Sequence, residues 1–446
     1  MIVAVGRLRI QFAAALLALC ATPGIHAQTS GQNSPSNATK SSRIAAITVT
    51  GTHKFPADQI VVACGIRRGD VVTAEQIQAA ADRLSALGIF SAVNYRYSAK
   101  GDGIALEFQV TEAVTYALSF DNFPWFTDSE IGDAIRASVG LFTGESPDSG
   151  TMVEQITDVL EKLLASRNIK GAVTHHLLAQ AAGDGMTMQF RVDGLPLRIQ
   201  SVQFGDSLAT ESQRLKDRIP DIKGQSYSRF AIELFEGEQV RPLYTSKGFL
   251  RAKIGPPVAN LISDSGNPAG SDVNVLIPVA PGPVYMWKGA SWQGNAVFSS
   301  ANLDETIHMK SGDVADGAKI ESDLQTIEGE YARRGYLDMK LNPQAQFDDA
   351  THQVSYQVNI VEGPQYRMGE MVVTGLSLEA EKRLRRDWQI APGQIFNNGY
   401  FEGLAKELVK PSPNIFGDLP VHYEVFGHWL RPNPDQHTVD VLLDFK

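Results

Sequence analysis

A short strand-and-turn pattern recurs five times along the 446-residue chain and constrains its fold more than any other feature. In each copy two apolar residues are separated by one residue of any kind, which places both on the same face of a β-strand. A turn residue follows. The copies are Ile47-x-Val49 with Gly51, Leu118-x-Phe120 with Asn122, Val202-x-Phe204 with Gly205, Ala290-x-Trp292 with Gly294, and Met371-x-Val373 with Gly375. Their turn residues are 71, 83, 89 and 81 positions apart. Because glycine and asparagine tolerate positive φ best, we predict a left-handed backbone at this turn.

Two helices are expected after each of these strands. The pattern of a capping box, Ser/Thr/Asn followed three residues later by Glu or Gln, indicates helix starts at Thr73-x-x-Gln76, Thr127-x-x-Glu130, Thr151-x-x-Glu154, Thr210-x-x-Gln213 and Asn302-x-x-Glu305. In three copies the second helix ends at a glycine followed by a large apolar residue, at Gly88, Gly248 and Gly335. A glycine in the left-handed conformation just past a helix satisfies the last carbonyls. In the second copy Asn168 or Gly171 could fill this role.

Two strands close each copy, so the repeating unit is β-α-α-β-β. The sequence therefore predicts an α+β tandem array of five modules, each a three-stranded sheet covered by two helices. The predicted modules cover residues 43–113, 114–194, 195–282, 283–363 and 364–446. In the third module a long connection is expected between its closing strands, from Ser263 to Ser271.

The first residues indicate export. Arg7 and Arg9 precede the apolar run Ile10 to Cys20, which is too short to span a bilayer. We predict a cleaved signal peptide over residues 1–27. Residues 28–42 lack large apolar side chains and are predicted to form a disordered linker.

Several function classes are disfavoured by composition and motifs. The net charge of −10 argues against nucleic-acid binding. The histidine groupings, His175 with His176 and His422 with His428, have no further ligand at a recognised metal spacing. No nucleophile motif or phosphate-binding loop is recognised either. We therefore expect no catalytic residue, no metal and no cofactor, and the chain is not predicted to be an enzyme.

The repeat resembles the POTRA (polypeptide-transport-associated) domain. The resemblance lies in the first-strand turn, the glycine and aromatic or apolar pair after the second helix, and third-strand ends such as Val110-Thr-Glu112 and Val361-Glu-Gly363. It is strongest in the first and fourth modules. Five copies behind a signal peptide resemble the periplasmic arm of the outer-membrane β-barrel assembly and translocation family, without the barrel. The expectation is either a relative made only of POTRA domains or the soluble part of a longer protein.

This resemblance implies a function in the periplasm, associated with the outer membrane. Implied partners are unfolded or extended outer-membrane polypeptides, together with a separate β-barrel protein or periplasmic lipoproteins. The arm would bind clients by β-strand addition during outer-membrane protein assembly, membrane insertion or translocation. The main alternative is a structural spacer of the cell envelope without client binding, and an envelope hydrolase is a more distant one.

In the family that the chain resembles, clients add to the second strand of a module. Carried onto this sequence, the partner-binding edge residues are Val93, Asn94, Tyr95, Arg96, Tyr97, His175, His176, Leu177, Leu178, Ala179, Ala252, Lys253, Ile254, Met339, Lys340 and Leu341. The structural glycines are Gly51, Gly88, Gly205, Gly248, Gly294, Gly335 and Gly375. Each edge could instead be only solvated or packed against a neighbouring module. The aromatic loop Phe120 to Phe126 is interpreted either as an exposed docking surface or as packing between the first two modules.

Overall fold

The computed structural model describes residues 41–181, 185–195, 197–264, 267–410 and 413–446. The predicted signal peptide and most of the predicted linker fall within residues 1–40, outside the described residues. The first described strand begins at Ser42, the last residue of that linker prediction.

The described residues form five sheets of three or four strands and one sheet of two strands. We refer to the segments that build the five larger sheets as unit 1 (42–112), unit 2 (116–193), unit 3 (198–280), unit 4 (286–361) and unit 5 (367–445). In every unit the last long strand lies beside the first strand and parallel to it. The second strand pairs antiparallel with the other side of that last strand and ends the sheet.

Unit 1 shows the complete pattern. Its elements are β1 (Ser42–Thr50), α1 (Ala57–Cys64), β2 (Val71–Val72), α2 (Ala74–Ala86), β3 (Phe90–Lys100) and β4 (Gly103–Glu112). The sheet order is β2-β1-β4-β3. Helix α2 starts where predicted, because the Thr73 side chain accepts from the Gln76 N–H and the Gln76 side chain accepts from the Thr73 N–H.

Unit 2 repeats this order with a second four-stranded sheet, β6-β5-β8-β7. Its elements are β5 (Tyr116–Phe120), α3 (Asp128–Ser138), β6 (Glu145–Ser146), α4 (Thr151–Ser166), β7 (Ala172–Ala179) and β8 (Met186–Asp193). The capping box predicted at Thr127 is present. The one predicted at Thr151 was wrong, because Gly150 occupies the N-cap position and no side chain caps the helix.

Unit 3 departs most from the pattern. Its elements are β9 (Arg198–Phe204), α5 (Ser207–Glu211), α6 (Gln213–Lys216), α7 (Ile219–Ile222), α8 (Arg229–Phe235), a π-helical turn (Glu236–Val240), α9 (Arg241–Thr245), β10 (Lys253–Ile254), β11 (Val258–Asp264), β12 (Asn267–Ile277) and β13 (Val279–Ala280). The first helix is divided into three short pieces, and Asp206, not Thr210, caps the first of them. The π-helical turn ends two residues before Pro242, which has no N–H for the ordinary helical bond. The connection predicted from Ser263 to Ser271 is mostly strand, since β11 and β12 pair up to Asp264 and Asn267.

Unit 4 contains β14 (Met286–Gln293), α10 (Ser300–Thr306), α11 (Gly317–Arg333), β15 (Lys340–Asp348) and β16 (Gln353–Val361). Unit 5 contains β17 (Arg367–Thr374), α12 (Leu378–Asp387), α13 (Asn398–Leu408), a 3-10 turn (Asn414–Phe416), β18 (Phe426–Asn433) and β19 (Thr438–Phe445). The predicted cap at Asn302 was wrong by three residues, because Ser299 accepts the Asn302 N–H.

A continuous cluster of buried apolar side chains runs through units 1 to 3, from Ile44 to Ile277. Unit 4 contains two smaller clusters, and unit 5 has one of its own. Burying one large apolar side chain contributes about 1.5–3 kcal/mol, so shared burial couples the first three units.

Units 3, 4 and 5 are joined by a repeated backbone contact. The N–H of Tyr285 donates to the carbonyl of Gly248 at 2.9 Å, and the N–H of Tyr366 donates to the carbonyl of Gly335 at 2.8 Å. Both tyrosines are buried directly before the first strand of their unit. The glycine that ends the second helix of one unit therefore also contacts the start of the next.

Candidate partner-binding edge strands

The two outer sides of each sheet differ in how far they are covered. The first strand is paired on its outer side by β2 in unit 1 and β6 in unit 2. In units 3, 4 and 5 single bridges do the same, from Arg198 to Ser226, Met286 to Val314 and Arg367 to Ile395. The other side of each sheet ends in the second strand, and none of the described strands pairs with its outer edge. An exposed row of N–H and C=O groups of this kind is a template for another strand.

The structure places most of the predicted edge residues on these second strands. Residues 93–97 lie in β3 and residues 175–179 in β7. Lys340 and Leu341 begin β15, and Met339 directly precedes it.

The third predicted edge coincides only in part with the observed one. Ala252 is buried and outside any strand, whereas Lys253 and Ile254 form the two-residue strand β10. The longer edge of unit 3 is β11, over Val258–Asp264, which the prediction missed. The pair Pro256-Pro257 breaks the second strand into two pieces, because proline cannot donate to a strand ladder. Those prolines were the signal in the sequence for the break. The edge of unit 5, β18, was not among the predicted sites either.

The direction of each edge N–H follows from the strand register. In an antiparallel pair, residues alternate between bonding to the partner strand and pointing away from it. In unit 2 the carbonyl of Phe190 accepts from the N–H of Asp121, so Phe190 bonds toward the first strand. Its partner across the register, His175, therefore points its N–H and C=O outward. The N–H of Gln180 donates to the Gly185 carbonyl at 2.9 Å, so Gln180 faces the partner strand and the odd-numbered residues of β7, His175 among them, face outward.

The edge of unit 1 carries charged and aromatic side chains. Arg96 forms an ion pair with Glu107 of the neighbouring strand, with 2.9 Å between the nitrogen and oxygen atoms. The Tyr95 hydroxyl donates to the Gln78 side chain of α2 at 3.0 Å, and burial raises the pKa of that hydroxyl. Tyr97 is 54% exposed.

A groove accompanies the edge of unit 2. It lies between α4 and β7 and is lined by Glu154, Thr157, Asp158, Glu161, Val173, Thr174, His175 and His176. Across it the Glu161 carboxylate accepts the outward N–H of Val173 at 3.2 Å. The His175 ring lies 5.8 Å from the ring of Phe190, so its side chain packs toward the core.

The structural glycines fall into two groups. Gly88, Gly248 and Gly335 have φ angles of 84°, 84° and 82° just past a helix, as the C-cap prediction requires. In unit 2 Asn168, with φ of 59°, fills this role.

At the first-strand turn the prediction holds in three units. Gly51, Gly294 and Gly375 have φ of 84°, 79° and 84°. A Cβ at any of them would overlap a carbonyl oxygen of the last strand of the same unit. These positions therefore require glycine for both conformation and space.

The prediction of positive φ was wrong for Gly205 and Asn122, neither of which is left-handed. Asn122 instead uses its side-chain amide, which donates to the Val192 carbonyl at 2.8 Å and accepts the Val192 N–H at 2.7 Å. Gly205 lies directly after β9, and its N–H donates to the Ile277 carbonyl at 2.9 Å.

The aromatic loop of unit 2 is buried. Phe120, Phe123, Trp125 and Phe126 are each at most 9% exposed and belong to the cluster shared by units 1 to 3. The interpretation as an exposed docking surface was wrong.

His428 of unit 5 is packed among aromatic rings, whereas His422 is exposed. His428 stacks on Phe426 at 5.4 Å, and burial lowers the pKa of its imidazole. In the described part of the chain, no group of three or more His, Cys, Asp or Glu side chains could hold a metal ion. Among the same residues, no helix is long and apolar enough to cross a membrane.

Residues 42–113 and 285–363 match the POTRA family, which is described as "Surface antigen variable number repeat". These stretches coincide with units 1 and 4, so the chain contains POTRA domains in an α+β architecture. That units 2, 3 and 5 are further modules of the same kind, with the predicted boundaries, stays a prediction.

Curated relatives are similar over longer stretches. The chain is 22% identical over 410 residues to the outer membrane protein assembly factor BamA of Nitratidesulfovibrio vulgaris, covering 86% of this chain and 50% of that protein. It is 21% identical over 271 residues to a protein of Treponema pallidum whose name refers to outer membrane protein assembly, covering 60% of this chain and 31% of that protein. The chain thus spans half or less of the length of these relatives. Among solved structures, the crystal structure of POTRA domains 3–5 of Haemophilus influenzae BamA is 21% identical with a TM-score of 0.44, covering 56% of this chain and 96% of that one.

Proposed function

We propose that this chain is a periplasmic polypeptide-binding arm for outer-membrane protein assembly or translocation. It holds extended clients by β-strand addition to the second strand of a unit. The observation that carries this proposal is the unpaired outer edge of the second strand, which recurs in the five larger sheets of the described chain. Main-chain pairing gives affinity without a strict sequence requirement, which suits clients of many sequences.

The similar proteins support the same process. Both curated relatives have names that refer to outer membrane protein assembly, and units 1 and 4 match POTRA domains. The predicted signal peptide supports a location in the periplasm, with association to the outer membrane through partners. Binding of this kind needs no catalytic group, metal or cofactor. Periplasmic lipoproteins are further partners that we propose from the resemblance.

The proposal is tested by photo-crosslinking to an unfolded client. A photoreactive amino acid is placed at Tyr97 on β3 and, separately, at His176 on β7. The matched control is Val62, which is 80% exposed but lies on helix α1 and not on a strand. Each purified protein is mixed with a urea-denatured outer-membrane porin during dilution. We expect crosslinks from at least one edge position and none from Val62.

The competing function is a spacer without client binding. The apolar cluster that couples units 1 to 3 is the observation that favours it, because shared burial makes a stiff arm. A spacer predicts equal, background-level crosslinking from Tyr97, His176 and Val62. That result would overturn the binding proposal.

A further inference from the structure

The five edges are not equally open to strand addition. Proline lies within two of them, at Pro343 in β15 and at Pro432 in β18. In unit 3 Pro256-Pro257 precede β11 and shorten the edge to its 7 residues, the last of which is Asp264. Natural sheets protect exposed edges with prolines and charged side chains, because both oppose pairing with another strand.

The prolines of units 4 and 5 occupy outward-facing positions. The Ile360 carbonyl lies against Gly294 on the first-strand side, so its partner Leu341 faces outward and so does Pro343, two residues on. In unit 5 the Lys446 N–H donates to Val425 O, which makes Val425 inward-facing and Pro432 outward-facing. Each proline therefore removes a donor that an added strand would need.

The remaining edges are those of units 1 and 2. The strand β3 carries Arg96 and Lys100, and edge cations disfavour pairing as prolines do. The strand β7, with the sequence AVTHHLLA, contains neither proline nor Lys, Arg, Asp or Glu. It is the least protected of the five described edges.

The outward donors of β7 are defined by its register. The outward-facing residues are Val173, His175, Leu177 and Ala179. Glu161 already accepts the N–H of Val173. The next three outward N–H groups face away from β8, and none of the described strands pairs with them.

A row of three carboxylates on helix α4 lies beside this edge. Glu154, Asp158 and Glu161 are exposed residues of α4 at spacings of four and three, so they share one helix face. All three line the groove along β7, and no Lys or Arg is among the residues that line it. An added strand would place alternate side chains on the helix side of the sheet, next to these carboxylates.

We infer that β7 is the principal client-binding edge and selects extended segments that carry basic residues at alternate positions. This inference rests on the proposed function and adds both a location and a partner chemistry to it. Backbone pairing with His175, Leu177 and Ala179 holds the segment, and the carboxylates of α4 discriminate by charge.

The test uses two synthetic nine-residue probes with alternating valine, one with lysine and one with glutamate at the intervening positions. Binding to the full chain is measured by crosslinking from His176 at low salt. We expect the lysine probe to bind about tenfold more tightly than the glutamate probe, since a few exposed ion pairs add up to about one order of magnitude. This preference should shrink as salt is raised.

Two variants separate the parts of the inference. The triple variant E154Q/D158N/E161Q keeps the shapes and the acceptor for Val173 but removes the charges, so the lysine preference should vanish while both probes still bind. The variant Ala179→Pro removes an outward donor at an exposed position, so both probes should bind more weakly. Its melting temperature is measured in parallel to show that unit 2 remains folded.

The outcomes are distinguishable. An unchanged lysine preference in the triple variant would overturn the charge selection alone. Equal binding by the wild type and Ala179→Pro, or crosslinks from Tyr97 but not from His176, would overturn β7 as the principal edge. Absence of crosslinks to both probes and to the denatured porin at every edge position would overturn the proposed function itself.

Discussion

The carboxylate of Asp121, at the end of the first strand of unit 2, accepts a 3.0 Å hydrogen bond from the backbone N–H of Phe230 in the first turn of a unit 3 helix. The same carboxylate accepts from the Ser228 hydroxyl at 2.8 Å, and Asp121 is 1% exposed. A buried carboxylate from one unit thus completes the helix start of the next. This contact adds a directed polar link to the apolar burial that units 1 to 3 share.

Replacing Asp121 with alanine should loosen the junction between units 2 and 3. The Phe230 N–H and the Ser228 hydroxyl would lose their acceptor, which costs about 1–3 kcal/mol for buried groups. We expect faster amide hydrogen exchange over residues 229–235, measured by mass spectrometry on the full chain. The control is Asp133→Ala, because Asp133 forms only an exposed pair with Arg136. Unchanged exchange in Asp121→Ala would show that the Asp121 carboxylate does not hold the junction.

Unit 3 should become less stable as pH rises, because of Glu236. Glu236 is buried in the π-helical turn, and one of its carboxylate oxygens has no hydrogen-bond partner. Burial first, and then the nearby Glu233, raises the pKa of Glu236 to about 8, with Arg241 opposing them. The raised pKa means that the folded state binds this proton more tightly than the unfolded state does. The protonated Glu236 therefore stabilises the fold fully below the pKa that the carboxyl has in the unfolded chain, and this stabilisation is lost as pH rises toward 8.

Because one carboxyl exchanges at most one proton, the free energy of unfolding can change by at most about 1.4 kcal/mol per pH unit. Hydrogen exchange over residues 229–245 should therefore accelerate between pH 5 and pH 8 beyond the intrinsic dependence of amide exchange. In Glu236→Gln, which cannot ionise, this excess should disappear. If the wild type and Glu236→Gln show the same corrected pH profile, the carboxyl does not titrate in this range.

Equivalent glycines in units 3 and 4 should respond differently to alanine. Gly294 is left-handed and its Cβ would overlap the Ile360 carbonyl, whereas Gly205 is not left-handed and its Cβ would lie 3.3 Å from the nearest atom, the Val279 nitrogen. We expect Gly294→Ala to cost about 2 kcal/mol or more and Gly205→Ala less than about 1 kcal/mol. Thermal unfolding followed by circular dichroism compares the two. Similar losses in both would mean that the turn conformation does not set the requirement.

The structural features that the sequence predicted correctly are those that depend on local chemistry. The glycines after the second helices and the capping box at Thr73 follow from short-range sterics and hydrogen bonds, and the structure has them as predicted. The β-α-α-β-β order of elements also followed in unit 4 and, apart from the two-residue strand β2, in unit 1, because one pattern of strands and helices repeats along the chain.

The sequence did not reveal the positions at which one unit departs from the structure of the others. At Asn122 a side-chain amide replaces the left-handed turn, which depends on how close Val192 lies and not on local preference. In unit 3 the first helix divides into three pieces and the second strand divides at Pro256-Pro257, so regular spacing there was a poor guide. The outward or inward direction of each edge N–H required the register, since a shift of one residue reverses it.

The protection of an edge by proline should be reversible. Pro343 is exposed and outward-facing in the middle of β15, so Pro343→Thr restores an N–H on an otherwise unpaired edge. We expect a crosslinker at exposed Ala345 to capture a neutral probe of alternating threonine and valine in the variant, at least about threefold above wild type. The matched control is Gln346→Thr, which changes a side chain of the same strand without changing any backbone donor. If Pro343→Thr and Gln346→Thr capture the probe equally, proline does not close the unit 4 edge, and β7 is no more open to strand addition than β15.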